Sequence, residues 1–357
     1  MQVTNLNLHH LHAYLSERLP DMGLPEALQA TSIAGGQSNP TWVLHTPTRR
    51  MVLRAKPAKT ADLLPSAHAI EREVKVQTAL AGSGVPVPRI LCHCEDEDVL
   101  GVAFYVMDFV EGRVLRDSSL ADEPLSDRCA IHFHAMRVLA ELHRTPWQTV
   151  GLADFGRSSG YAARTIKRWA QQYAATCATP LPFMVDWQAW LNAHLPPETP
   201  DATTLVHGDY RLENLMIGAI DADNHTEVVA VLDWELSTLG DPLSDLAYYC
   251  MAWHNPQGLL RGIGHPDPAA CGLPTEVDMV AMYCKHAGRA EDEVWAHWPF
   301  YLSLNYFRLT AILQGVADRV AKGQTRNPTA QAIGELTPLV ADIGWRIAQG
   351  GHFKAPN

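Results

Sequence analysis

The densest group of residues able to do chemistry is His207-Gly-Asp209-Tyr-Arg-Leu-Glu-Asn214. It runs into the apolar Leu215-Met-Ile217, then an Asp- and Asn-rich stretch from Gly218 to Thr226. The apolar Val228-Val-Ala-Val-Leu232 and Asp233-Trp-Glu235 complete it. A lone Asp or Asn usually marks a turn or a cap. Here the two apolar runs predict antiparallel strands joined at Asp221-Ala-Asp-Asn-His225. Asn214 and Asp233 are equidistant from the middle of that turn, so pairing should set them side by side at the open end of the hairpin. Asp209 stands on the loop just before it. Three oxygen-bearing side chains on a loop held by a hairpin suit Mg²⁺, which takes few protein ligands and completes its shell with phosphate oxygens.

The elements that must position this loop divide the chain in two. Residues 31–110 read as β-rich with one helix. Thr41–His45 and Met51–Arg54 form a hairpin across Thr46-Pro-Thr-Arg-Arg50. A helix is expected over 67–81, with Ile70, Val74 and Leu80 near one face, closed by Gly82-Ser-Gly84. Phe104-Tyr-Val-Met-Asp-Phe-Val110 reads as a buried strand broken by Glu111-Gly112. Beyond it, helical periodicity covers 124–145, 160–176, 183–195, 242–254, 274–287, 291–321 and 328–349, with 205–237 the exception. In 124–145 the apolar side is Leu125, Cys129, His132, Met136, Leu139 and Leu142. The expected architecture is α+β, with a small mixed lobe over 1–110 and a large helical lobe over 111–357.

His-Gly-Asp-x₄-Asn followed by Leu-Asp-Trp-Glu resembles the phosphotransferases related to aminoglycoside and choline kinases, which share the protein-kinase-like fold. The resemblance spans about residues 30–310 and is closest to the kinase-like domains fused to acyl-CoA dehydrogenases. Pro65-Ser-Ala-His68, Gly84-Val-Pro-Val-Pro88 and Trp234 to Pro242 carry that likeness. It implies a kinase using ATP and Mg²⁺ on a small-molecule hydroxyl acceptor. Asp209 would be the catalytic base, Asn214 and Asp233 the metal ligands, and His207 the structural histidine of the loop. Gly35, Gly36, Gln37 and Ser38 resemble the turn that covers the nucleotide phosphates. Asp108 and Val110 would meet adenine through their main chain, and Glu73 would be the helix glutamate.

Two departures from the family pattern matter. The phosphate loop is not Gly-x-Gly-x-x-Gly, although the amides of Gly35 to Ser38 could still cradle phosphate. The strand lysine is replaced by Arg54, and Lys56 points to the same side. Either could pair with Glu73. Arg54 is preferred because it lies within the apolar strand, whereas Lys56 precedes Pro57.

The formal net charge of -11 argues against general nucleic-acid binding. No run is apolar and long enough to span a membrane, the opening residues lack a signal pattern, and the seven cysteines are scattered, which together point to the cytoplasm. Cys92-His-Cys94 lacks the second pair a zinc site needs. Asp241 and Asp245 are expected to orient the loop, and Glu235 to be a helix cap or a substrate contact. Arg164, Lys167 and Arg168 recur at i, i+3 and i+4 beside Trp169, a cationic face that would draw a coenzyme A phosphate, with the ring free to stack on adenine. A hydroxyacyl-CoA is therefore the expected acceptor. The alternatives are an aminoglycoside or choline-type kinase and a nucleotide-binding scaffold without catalysis.

Overall fold

A computed structural model describes residues 6–24, 28–33, 39–57, 70–197, 203–264, 267–325 and 328–351. Helix α1 (Leu8–Arg18) precedes an antiparallel sheet of β1 (Gln29–Ser32), β2 (Thr41–His45), β3 (Arg50–Ala55), β4 (Ile90–Cys94) and β5 (Phe104–Asp108), in the order β1-β2-β3-β5-β4. Helix α2 (Ile70–Leu80) leads from β3 toward β4, and the short α3 (Glu97–Leu100) joins β4 to β5.

Period-two alternation in β3 explains how the sheet is covered. Met51, Leu53 and Ala55 pack with Trp42 and Leu44 against Leu11 and Leu15 of α1. Val52 faces Ile70 of α2 together with Tyr105 and Met107. Arg54 shares the Val52 face, so its side chain is aimed at α2. Leu11 and Leu15, four apart among histidines, are buried and anchor α1, an element that the sequence reading does not include.

The rest is mainly helical. A three-stranded sheet orders β6 (Arg113–Val114), β8 (Leu215–Ile217) and β9 (Val228–Val231), while β7 (Thr204–Val206) pairs with β10 (Thr238–Gly240). Around them lie α4 (Leu125–Arg144), α5 (Tyr161–Thr176), α6 (Met184–Ala193), α7 (Pro242–His254), α8 (Glu276–Ala287) and α9 (Glu291–Ala321). One large core unites α4, α7, α8 and α9 with the last helices.

Two expectations need correction. The pattern over 328–349 is two helices, α10 (Pro328–Gly334) and α11 (Thr337–Ala348). Pro338 has no N–H to offer the Gly334 carbonyl, and the Thr337 hydroxyl donates to it instead at 2.7 Å. Leu125 opens α4 at 60% exposure rather than joining its buried side.

Gly344 lets α11 approach its neighbours. A Cβ there would stand 2.6 Å from Trp187 Cη2 and would also meet Tyr306 Cβ. In an exposed helix Gly→Ala stabilises by about 1 kcal/mol. Gly344→Ala is instead expected to destabilise by about 2 kcal/mol through overpacking. Thermal denaturation checks this; an unchanged or raised Tm contradicts it.

Candidate active site

The loop before β8 is held by one buried carboxylate. Asp245, at the start of α7, accepts from the His207 N–H at 2.6 Å and the Gly208 N–H at 2.9 Å. Burial opposes its charge, but the hydrogen bonds from His143 and from the His207 amide hold its pKa below the usual carboxylate value. The His207 ring accepts the Asp209 N–H at Nδ1 (3.2 Å), so Nε2 carries the proton and donates to the Leu232 carbonyl at 2.9 Å. His207 thus staples the loop to the end of β9. Gly208, at φ 81°, permits the close passage, since a Cβ would lie 2.5 Å from the Leu236 carbonyl oxygen.

The hairpin forms with a register one residue from that expected. Leu215 pairs with Val231 and Met216 with Ala230, but Ile217 pairs with Val228, leaving Val229 as a bulge. Leu232, not Asp233, therefore stands across from Asn214 and donates to its carbonyl at 2.8 Å. Asp233 leaves the strand in the left-handed region, φ 65° and ψ 62°. Such a conformation costs about 1–3 kcal/mol in a non-glycine residue, and aspartate tolerates it better than most.

Asp209 and Asn214 meet directly: Asn214 Nδ2 donates to the Asp209 carbonyl at 2.8 Å and to its Oδ2 at 2.9 Å. Arg211 Nε lies 3.4 Å from the same Oδ2. The Tyr248 hydroxyl also faces Asp209, and burial together with that carboxylate pushes its pKa up to about 12.

Asp233 is tied to the five-stranded sheet. Arg54 Nη2 donates to Asp233 Oδ1 at 2.7 Å, and Arg54 Nε lies 3.0 Å from Glu73 Oε2. Glu73 also accepts from Asn39 Nδ2 at 2.7 Å and the Tyr105 hydroxyl at 2.8 Å. Burial raises the Glu73 carboxyl against the pull of Arg54 and Tyr105. Lys56 pairs with Glu71 instead, so of the two cations it is Arg54 that meets Glu73. Glu235 lies 4.0 Å from Arg54 Nη2.

The other expected residues stand apart from this network. Asp108 ends β5; its carboxylate takes Arg49 and Arg89 at 3.1 and 3.0 Å, and its N–H donates to the Arg89 carbonyl. Of its main-chain groups, the carbonyl is the one it could offer a base. Val110 follows two residues on. Gly35, Gly36, Gln37 and Ser38 lie outside the described residues.

A cavity of about 380 Å³ opens beside the loop, bordered by Gly208, Leu236, Arg164, Arg168, Trp169 and Arg308. Lys167, expected on this face, is exposed and does not line it; Arg308 of α9 does. Trp169 is flanked by Arg168 and Arg308, 5.2 and 5.8 Å from its ring centre, so the ring is already engaged by cations. Tyr105, the cross-strand partner of Arg54, is legible in hindsight from alternation. Arg308 and Tyr248 carry no local signal.

The arrangement defines an α+β, protein-kinase-like fold. Residues 29–270 match the phosphotransferase enzyme family (APH), and the chain belongs to that family. Mouse acyl-CoA dehydrogenase family member 10 is 42% identical over 89% of this chain, which spans 29% of that relative's length. A Ralstonia eutropha JMP134 crystal structure, provisionally called an aminoglycoside phosphotransferase, is 40% identical; the match covers 97% of this chain and 99% of that one, with a TM-score of 0.86. Aminoglycoside phosphotransferase APH(4)-Ia, solved with AMP-PNP and hygromycin B, shares the fold alone at 15% identity and a TM-score of 0.60, covering 96% and 98% of the two chains.

Asp245→Asn keeps the shape but offers one acceptor oxygen where two amides need partners. A loss of about 1–3 kcal/mol is expected, with turnover falling alongside. Because the Asp245 pKa is depressed on folding, its contribution is present above the ordinary carboxylate range and lost as pH falls through the folded value. Thermal melts from neutral to acid pH should show the gap between wild type and variant narrowing as pH falls. A constant gap contradicts this.

Proposed function

We propose that this protein is an ATP-dependent kinase that phosphorylates a hydroxyl of a small metabolite, with a hydroxyacyl-CoA as the acceptor class. One observation carries the reading: Asn214 holds the Asp209 carboxylate at the open end of the β8–β9 hairpin, and Asp233, the residue after Leu232 of that hairpin, is tied through Arg54 to Glu73.

Asp209 would accept the proton of the acceptor hydroxyl as that oxygen bonds to the terminal phosphorus of ATP and the bridging oxygen departs with ADP. Asn214 holds Oδ2 of that carboxylate in place, and Arg211 and Tyr248 fix it from other directions. Asn214 and Asp233 offer hard oxygen, and Asp233 already attracts a cation in Arg54, which fits Mg²⁺. When bound there, Mg²⁺ would neutralise charge on the ATP phosphates. Arg54 would supply a positive charge to the same phosphates. The amides of Gly35, Gly36, Gln37 and Ser38 would cover them, and the Asp108 carbonyl and Val110 amide would hold adenine. The nucleotide lobe is assigned to residues 1–110 and the acceptor lobe to 111–357, in a cytoplasmic protein.

The acyl-CoA reading draws support from the name of the mouse relative and from the arginines of the cavity. Those charges would repel a cationic aminoglycoside. The intact Asp209, Asn214 and Asp233 speak against a scaffold without catalysis.

A screen of purified protein with Mg-ATP against hydroxyacyl-CoAs, amino alcohols, sugars and aminoglycosides tests the proposal. Transfer to a hydroxyacyl-CoA is expected. Robust transfer only to an amino alcohol or aminoglycoside overturns the acceptor class, and no transfer to anything overturns the kinase. Asp209→Asn should lower kcat by roughly 10²–10⁴-fold while ATP still binds; near-normal turnover would remove Asp209 from its role. Asp233→Ala should weaken Mg-ATP binding as well as turnover, and an unchanged Mg²⁺ dependence would contradict that assignment.

A further inference from the structure

The cavity beside Gly208 differs in charge from the rest of the molecule. The chain carries 39 Asp and Glu against 28 Lys and Arg. Yet the described residues that line this cavity include Arg164, Arg168 and Arg308 and no carboxylate. Among the described residues no carboxylate lies within ion-pair distance of Arg168 or Arg308. Their contacts are to aromatic rings: Arg168 to Trp169, and Arg308 to Trp169 and, at 5.3 Å, Tyr248. Two guanidinium groups held about one ring repel each other, and an anion between them would remove that repulsion.

The neighbouring backbone has the same polarity. Tyr161, Arg164 and Thr165, in the first turns of α5, border the cavity. Gly160 caps this helix with no side chain to satisfy its leading amides. The positive end of a 16-residue helix thus faces the space the arginines occupy. Distance from the reaction centre is short in bonding terms, since Arg308 touches Tyr248, and Tyr248 faces Asp209.

We propose that Arg164, Arg168 and Arg308 form an anion subsite that receives a phosphate-type group of the acceptor, with Arg308 as the residue that selects acceptors carrying one. The proposal rests on the reading of Asp209 as the phosphoryl-transfer centre. An acceptor anchored there by its phosphate is held on the side of the loop bordered by Gly208, and its reach sets which hydroxyl arrives at Asp209. Phosphate bound by these arginines could instead belong to the nucleotide, and the kinetic arm below separates the two.

Coenzyme A and pantetheine share an arm, and only coenzyme A adds the 3′-phospho-ADP group, so they serve as binding probes, with adenosine as the control for the base. With Mg-AMP-PNP saturating the nucleotide site, calorimetry and quenching of tryptophan fluorescence should detect coenzyme A and neither pantetheine nor adenosine. Binding should weaken as salt rises. Arg168→Ala and Arg308→Gln should each weaken it about ten-fold, and Arg308→Lys should retain most of it. Arg168 is exposed, so its variant carries the test even where Arg308→Gln perturbs folding. Equal binding of the two probes, no binding of either, or wild-type affinity in both variants overturns the subsite. With an acceptor from the screen, the variants should raise its KM and leave that for ATP; a rise for ATP instead assigns the arginines to the nucleotide and overturns the proposal. Arginine-dependent coenzyme A binding without transfer to any acceptor would refute the kinase and support the subsite. Transfer to a hydroxyacyl-CoA with unchanged KM in both variants would refute the subsite and support the kinase.

Discussion

The Arg54 guanidinium is the contact on which the site's geometry depends. It reaches from β3 to Glu73 on α2 and to Asp233 beyond β9, joining three segments far apart in the chain. Burying such charges is costly unless they are paired and their remaining polar atoms find partners. Asn39 and Tyr105 meet that need at Glu73. An arginine suits this position because its planar fork can address two carboxylates at once, where a lysine ammonium acts as a point charge. The same contact keeps Asp233 beside a positive charge in the left-handed backbone that aims it away from the strand.

What was legible in the sequence is what is local. Asn214 could be placed beside Asp209 at the open end of a hairpin because two short apolar runs flank a turn-rich stretch, and hairpin pairing follows from that pattern. Arg54 and Glu73 could be matched because alternation along β3 gives the face and α2 covers it. The register was not legible, because a bulge at Val229 leaves no mark in composition. The break between α10 and α11 was, in principle, written in Pro338, but the apolar periodicity runs through it. Arg308 was beyond reach: the cavity exists only where α5 and α9 meet, and Arg168 and Arg308 share no spacing rule. Of the expected cationic face, Arg164 and Arg168 line the cavity, Lys167 is exposed outside it, and Arg308 from another helix joins them.

The loop is also unusual in how little of its support comes from groups that could react. Asp245 and His207 spend most of their hydrogen-bonding capacity on backbone: two amides for the first, beside the His143 ring, and one amide and one carbonyl for the second. Backbone partners cannot rotate away as side chains do, so the loop's shape is insulated from rotamer changes nearby. The groups around Asp209, by contrast, are side chains: Asn214, Arg211 and Tyr248. Rigidity and adjustability are thus divided between the two ends of the same short segment.

The contact between Gly208 and the Leu236 carbonyl has an evolutionary reading. Any other residue at 208 would bring a Cβ into a backbone atom, which no rotamer change at 236 can relieve. Tolerance could come only from a length change or a different path in the turn after Asp233. Across relatives, then, the glycine and the length of that turn should vary together or not at all. A homologue that has lost the glycine while keeping the turn would have a displaced loop, and its aspartate, though still present in an alignment, would no longer stand where Asp209 does.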